Sequence, residues 1–149
     1  MKGTVHVWVN SSVLVSRMLT LDFKGKEKTW FKKEHSREVT RTRSVYDHEN
    51  KCWVDETYTD IEYYYLVHEG EHKIISMSFP LMKFPNGQLA QGQYSFPFSV
   101  QLPDWLPASF ELATDVEEAR MSVRFKLKAK FENTKFNHKI PLVIMKPLE

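Results

Sequence analysis

The stretch GQYSFPFSVQLPDWLPASFE, residues 92–111, says more about the architecture of this chain than any other segment. From Ser95 to Leu102, apolar side chains alternate with small or polar ones, which is the period of a strand with one face in a core. Pro103 and Pro107 lack an amide donor, so a hydrogen-bonded ladder cannot run through them. The sequence therefore predicts a half-buried strand that stops at Leu102.

A second segment, Met121–Phe131, shows the clearest alternation in the chain. Its apolar side chains fall on one side, and the other side carries Arg124, Lys126, Lys128 and Lys130. A strand that buries one face accounts for this pattern, and a shift of one residue would turn every cation inward. The sequence thus predicts a strand with a firmly specified register and a row of four cations in solvent.

Shorter alternating segments bounded by turn residues surround these two. The predicted strands are Val5–Val9, a long one from Leu19 with a bulge at Gly25, the hairpin Val39–Tyr46 and Cys52–Tyr58, then Ile61–Val67, Ile74–Phe79 and Ile140–Met145 with Pro141 near its start. The predicted turns are Asn10–Ser12, the hairpin tip Asp47–Asn50, His68–Glu71 and Pro85–Gly87, with at most a helical turn over 114–119.

The fold class follows from what these elements share. No segment keeps an apolar period of 3.6 residues, and turn signals recur at short, regular intervals. A chain of 149 residues with 42% hydrophobic residues is the size of one domain with a proper core. We therefore predict a single all-β domain over residues 1–149, built as an antiparallel, immunoglobulin-like β-sandwich.

The amino-acid composition limits which cellular compartment and which kinds of chemistry are compatible with this chain. Cys52 is the single cysteine, which excludes an internal disulfide and predicts a reducing, cytoplasmic setting. The sequence shows no signal peptide pattern and no long apolar run. His68 with His72 lacks the further ligands that zinc requires, and Cys52 with His48 lacks the surroundings of an activated nucleophile. We predict no enzyme activity, no metal and no cofactor.

The net charge of +2 conceals a segregation along the chain. Residues 24–43 carry eight Lys or Arg against three Glu, and residues 47–71 carry eight Asp or Glu against one Lys. One interpretation is that two antiparallel strands pair these charges across a face. The other is that the basic segment docks acidic or phosphorylated tails.

The row Arg124, Lys126, Lys128 and Lys130 is the most site-like feature of the sequence. Alternate residues of a strand lie about 6 to 7 Å apart, so successive cations could meet an extended anionic chain. Lysines on an edge strand also protect it against aggregation, which is the alternative reading. Trp105, bracketed by prolines, is predicted to be partly exposed and is the other candidate partner contact.

The segment from Gly92 onward resembles the N-terminal domain of the arrestins. The matching residues are Gly92, Tyr94, Phe96, Phe98, Leu102, Pro103, Leu106, Pro107, Ser109 and Phe110, followed by the lysine-rich run Val123–Ala129. Gly3–Val7 and Leu19–Gly25 look like the family's second and third strands, especially in its alpha-arrestin branch. Residues 32–59 match nothing that can be aligned.

This resemblance implies a non-catalytic adaptor that binds cytoplasmic tails of membrane proteins, at endosomal or plasma membranes, and couples them to trafficking or signalling machinery. It departs from the family in two places. Ala90–Gln91 stands where receptor-binding arrestins carry a basic pair, and the family's first strand would precede Lys2. We therefore expect a fragment of a longer two-domain protein, with a free sheet edge that captures a second copy or a partner peptide.

Two further functions remain open on the sequence alone. A cargo-sorting subunit of the retromer type would share the fold and bind coat partners. A module for anionic lipid or nucleic acid would use residues 24–43 and the row Arg124–Lys130, and its affinity would fall steeply with salt.

Overall fold

The structure is a computed structural model that describes residues 1–10, 13–114 and 118–146. Its strands, in chain order, are β1 (Lys2–Val9), β2 (Leu14–Val15), β3 (Met18–Asp47), β4 (Cys52–Lys83), β5 (Gln88–Leu89), β6 (Gly92–Ser99), β7 (Phe110–Thr114), β8 (Ala119–Phe131) and β9 (Asn137–Leu142). Among these described residues there is no helix, which confirms the all-β prediction.

The strands form one large sheet and a smaller layer that faces it. The large sheet has the order β4-β3-β8-β7, and β9 pairs with β8 beside β7. The smaller layer consists of the pairs β1-β6 and β2-β5. All of these pairs are antiparallel, as the sandwich prediction requires.

The core lies between the two layers and consists of two clusters. In the first, Phe23 and Phe125 of the large sheet stack with their ring centroids 5.6 Å apart, and Val5 and Phe98 approach from the facing layer. The second is built from the buried residues Val9, Leu19, Phe84, Leu89, Phe96 and Phe131. Burial of these apolar side chains holds the layers together.

The motif strand β6 enters the core as expected but ends earlier than predicted. Phe96 is buried and Phe98 is half-buried, and both point toward the large sheet. The strand stops at Ser99 and not at Leu102, and Ser99 lies opposite Lys2, the first residue of β1.

β3 and β4 form one hairpin of unusual length. Their pairing runs from Met18–Lys83 to Asp47–Cys52, with irregularities at Leu19/Thr20 and at the predicted bulge after Gly25. The tip lies at residues 48–51, where the sequence places it. β8 accompanies β3 only as far as Phe31. Beyond it, Lys32–Asp47 and Cys52–Val67 form a two-stranded ribbon, which we call the arm.

The arm corrects the predicted sequence of short strands. Ile61–Val67, the turn at His68–Glu71 and Ile74–Phe79 are all parts of the continuous strand β4. Gly70 lies within it, opposite Thr29, so the glycine belongs to a strand and not to a turn. The predicted turn at His68–Glu71 is therefore wrong, because the pairing with β3 continues past it.

The described residues also test the predicted turn at Pro85–Gly87, the predicted last strand and the predicted burial of Met121. The turn at Pro85–Gly87 is present, and the last strand, β9, begins at Asn137, so Pro141 stands near its end and not near its start. Met121 is exposed rather than buried, because it lies where β8 leaves the sandwich beside the root of the arm. The expected turns at 10–12 and 114–119 include residues 11–12 and 115–117, which lie outside the described residues.

Candidate functional site

The outer face of the large sheet carries the predicted cation row. Arg124, Lys126, Lys128 and Lys130 alternate along β8 with the buried residues Val123, Phe125, Leu127 and the partly buried Ala129. β8 is an interior strand, because β3 pairs with one of its edges while β7 and β9 pair with the other. Protection of a sheet edge therefore does not explain these cations, and that reading is wrong.

Neighbouring strands extend the row into a two-dimensional patch that sequence reasoning missed. Residues paired across a sheet point to the same face, so the register adds lysines from β3, β4 and β9. We define the basic face as Lys24, Lys26, Lys28, Lys73, Arg124, Lys126, Lys128, Lys130 and Lys139.

Several cations of the basic face stand directly opposite one another. The like-charged cross-strand pairs are Lys73–Lys26, Lys26–Arg124, Lys24–Lys126 and Lys128–Lys139. Like charges in such positions destabilise a sheet, by about 0.2–1 kcal/mol on the scale of a cross-strand pair. The arrangement therefore needs an explanation other than sheet stability.

Three carboxylates form ion pairs with cations of the basic face and compensate part of the charge. Asp22 Oδ2 lies 3.0 Å from Lys130 Nζ, Glu111 Oε1 lies 2.6 Å from Arg124 Nη2, and Glu71 pairs with Lys26 and Lys28. Nine cations against three carboxylates leave the basic face at +6. The whole chain carries only +2, so this face concentrates positive charge.

Within the described part of the chain, five of the nine cations have no carboxylate within ion-pair distance. They are Lys24, Lys73, Lys126, Lys128 and Lys139. Like-charged neighbours without counterions create a positive potential that attracts anions. Phosphate and carboxylate groups are the anions that lysine and arginine bind in proteins.

Two carboxylates on this face have a lowered pKa because of their hydrogen-bond partners. Burial alone would raise the pKa of Asp22, but hydrogen bonds from the Ser78 hydroxyl, at 2.6 Å, and from Lys130 outweigh burial and hold that pKa below its ordinary value. Hydrogen bonds from Lys26 and Lys28 lower the pKa of Glu71 to about 2. The carboxylates of Asp22 and Glu71 therefore keep their negative charge to lower pH than ordinary carboxylates do.

The cations of the arm are arranged differently. Arg37 pairs with Glu62, Arg41 with Asp60 and Arg43 with Glu56, at distances of 2.6, 3.0 and 3.0 Å. This is the cross-strand pairing that the first interpretation of the segregated charges predicts. These arginines therefore do not form a free cationic surface for acidic tails.

Trp105 does not join the basic face. It lies in the loop between β6 and β7, where Leu106 is buried in the core while the indole of Trp105 is 62% exposed. Lys146 Nζ donates to the Asp104 carbonyl oxygen, at 3.0 Å, beside it. Its exposure is as predicted, but it belongs to none of the rows of the basic face.

The groups considered for metal binding and catalysis are not assembled into sites. The His68 ring stacks on the Phe31 ring with the centroids 4.8 Å apart, and the His48 ring lies edge-on to the Tyr46 ring. In the described ranges no three His, Cys, Asp or Glu side chains converge as metal ligands. A search of the same residues for a helix able to cross a bilayer also finds none.

The family model for the N-terminal domain of arrestin, also called S-antigen, matches residues 1–146. No curated protein matches the chain.

Proposed function

Because the chain belongs to the arrestin family and corresponds to its N-terminal domain, we propose that it is a non-catalytic adaptor domain that binds acidic cytoplasmic regions of membrane proteins through the basic face. Domains of this family are generally non-catalytic, protein-binding modules. The placement in the alpha-arrestin branch stays a prediction. The observation that carries the proposal is the +6 charge of one sheet face in a molecule of net charge +2.

The spacing of the cations suits an extended acidic segment. Successive cations on β8 lie about 6 to 7 Å apart, which is also the distance between alternate residues of an extended chain. A segment laid along β8 would therefore place a carboxylate or phosphate near each of Arg124, Lys126, Lys128 and Lys130. Lys24 and Lys139 would approach it from the neighbouring strands, about 4.8 Å to either side.

We propose Trp105 as a separate apolar contact for the same partner. Its loop is fixed by two prolines and by the buried Leu106, so the exposed indole is held in place. Exposed aromatic side chains on rigid loops contribute large contact areas at a low entropic cost. The proposal places the protein on the cytoplasmic side of endosomal or plasma membranes.

The test uses a labelled peptide with glutamate or phosphoserine at alternate positions and measures anisotropy at two salt concentrations. We expect the double variant Lys126→Glu and Lys128→Glu to lose at least tenfold in affinity. Its matched control is the double variant Lys33→Glu and Lys135→Glu, which makes the same charge change at exposed positions outside the basic face.

The control separates a local site from general electrostatic attraction. Equal losses in the two double variants would contradict the proposal, because the net charge alone would then explain binding. Trp105→Ala should weaken binding without changing its salt dependence, since an apolar contact involves no counterion release.

The breadth of the basic face favours a second candidate, which is peripheral binding to anionic membranes. Its cations span four neighbouring strands, β4, β3, β8 and β9, and this is wider than one peptide. Juxtaposed lysines attract acidic headgroups at about 1 kcal/mol each. Sedimentation with phosphatidylserine vesicles, compared with phosphatidylcholine vesicles, distinguishes this function from peptide binding.

A further inference from the structure

β1 has one edge that pairs with β6 and one that pairs with no other strand in the described part of the chain. Met1 and Val100 exchange two backbone hydrogen bonds, of 2.6 and 2.8 Å. In an antiparallel ladder, hydrogen-bonded pairs alternate with pairs that are not hydrogen-bonded. The even-numbered residues Lys2, Thr4, His6 and Trp8 therefore direct their N–H and C=O groups to the open edge.

The other open edges carry protection that β1 lacks. Edge strands are normally blunted by inserted charges, by proline or by short length. Proline interrupts β6 at Pro97 and β9 at Pro141. Charged side chains occupy β4, which is rich in acidic residues, β7 at Glu111 and β9 at Lys139. The strands β2 and β5 are only two residues long. β1, KGTVHVWV, has a single charge at its first residue and no proline.

A partly apolar groove of about 550 Å³ lies along this open edge. Its lining includes Val5 and Trp8 of β1, Leu19 and Phe131 of the core, and Phe136 before β9. Trp8 is 72% exposed and Phe136 is 65% exposed. An unprotected strand edge beside exposed aromatic side chains is the surface composition of an interaction site.

We propose that β1 pairs with β1 of a second copy across a twofold axis, in an antiparallel register that centres on Val5. In this register Lys2 lies opposite Trp8 of the other copy, and Thr4 lies opposite His6. All four residues with free backbone groups are then paired, and each pair exchanges two hydrogen bonds. The result is a continuous four-stranded sheet with the order β6-β1-β1-β6.

Side-chain chemistry supports a second copy as the occupant. The proposed register brings no two charged residues together and sets the Lys2 ammonium beside the indole of Trp8, a favourable cation–π pairing. Registers shifted by two residues leave either Lys2 or Trp8 without a partner.

The arm edges are unsuited to the same twofold pairing. Joining β3 to β3 would juxtapose arginines, and joining β4 to β4 would juxtapose acids. Charge therefore selects β1 among the long open edges for twofold pairing.

The first test is analytical ultracentrifugation of the full chain with charge-swap variants. Thr4 and His6 are exposed and face each other twice across the axis. We expect dimers for the wild type, monomers for Thr4→Lys/His6→Lys and for Thr4→Glu/His6→Glu, and dimers again when the two variants are mixed. The control Thr57→Lys/Thr59→Lys adds the same charge at exposed positions on β4 of the arm, away from β1, and should stay dimeric.

The second test fixes the register by cross-linking in a Cys52→Ser background. Thr4→Cys/His6→Cys should form a disulfide-linked dimer under mild oxidation, because the two positions face each other in an antiparallel pair. Thr4→Cys alone should stay unlinked, since two copies of residue 4 are offset by two positions in this register. A wild-type chain that remains monomeric up to its solubility limit, or a dimer that the mixed charge swap does not restore, would overturn the proposal.

Discussion

The arm and the sandwich are built from the same two strands, yet different interactions hold them. In the sandwich, β3 has neighbours on both edges and a facing layer, and Phe23 is fully buried. In the arm only one neighbour remains, and Tyr63 is 63% exposed. Pairing alone maintains the geometry of the ribbon, whereas burial supplies the stability, because isolated two-stranded hairpins are marginal in water.

The largest difference between the two regions is expected when one aromatic ring is truncated in each. Phe23→Ala should lower the free energy of unfolding by about 3–5 kcal/mol, because the ring is fully buried against Phe125. Tyr63→Ala in the arm should change it by less than about 0.5 kcal/mol. Urea titration measures both values, and similar losses would show that the arm and the sandwich unfold as one equally packed unit.

Gly25 in the sandwich and Gly70 near the root of the arm should differ by a smaller amount. A Cβ at Gly25 would overlap Cε1 of the Phe125 ring, so Gly25→Ala should cost about 1–3 kcal/mol through overpacking. A Cβ at Gly70 would meet only the Thr29 hydroxyl, at 2.7 Å, which can rotate away.

Gly70→Ala should therefore be neutral or stabilise by up to about 1 kcal/mol, because it restricts the unfolded chain. Thermal unfolding of both variants shows which substitution lowers the stability more. A larger loss at Gly70 than at Gly25 would contradict the assigned packing.

The smallest expected effect compares a buried and an exposed carboxylate. Asp22 and Glu71 both have a pKa lowered by folding, so each stabilises the folded state above its unfolded pKa and loses that contribution as pH falls through its folded pKa. We expect Asp22→Asn and Glu71→Gln each to flatten the decline in stability between about pH 5 and pH 2 at low salt.

High salt separates the two carboxylates. At about 1 M salt the screening length is about 3 Å, which removes the exposed interactions of Glu71 but not the buried ones of Asp22. The measurement compares the denaturation midpoints of the wild type and the two variants across this pH range, at low and at high salt. Persistence of the Glu71→Gln effect at high salt would contradict its assignment as a solvent-exposed pair.

The sequence was sufficient for the sandwich but not for the arm. Local alternation identified β8 and the aromatic face of β6, because each pattern is complete within one strand. Turn chemistry misled the prediction at His68–Glu71, since a glycine in a long strand looks like a turn until its partner is known. The mirrored charges Arg37 with Glu62 and Arg43 with Glu56, which are equidistant from the tip, were the signal for the full length of the arm.

Only part of the candidate site could be predicted from the sequence, because its residues come from several strands. Alternation along β8 showed the row from Arg124 to Lys130 directly. Lys24, Lys73 and Lys139 come from strands distant in sequence, and only the register sets them beside that row. A surface that one strand carries can be predicted from one segment, but a surface shared by four strands requires their alignment.

The uninterrupted passage of β3 and β4 from the core into the arm has a mechanical consequence. The arm has 16 paired positions along β3, which at about 3.3 Å per residue puts its tip about 50 Å from the sandwich. A tilt of about 5° at the root then sweeps the tip through about 4 Å. A load at the tip acts as a torque on the strand that bears Leu21 and Phe23, so the arm is a lever whose fulcrum is the core.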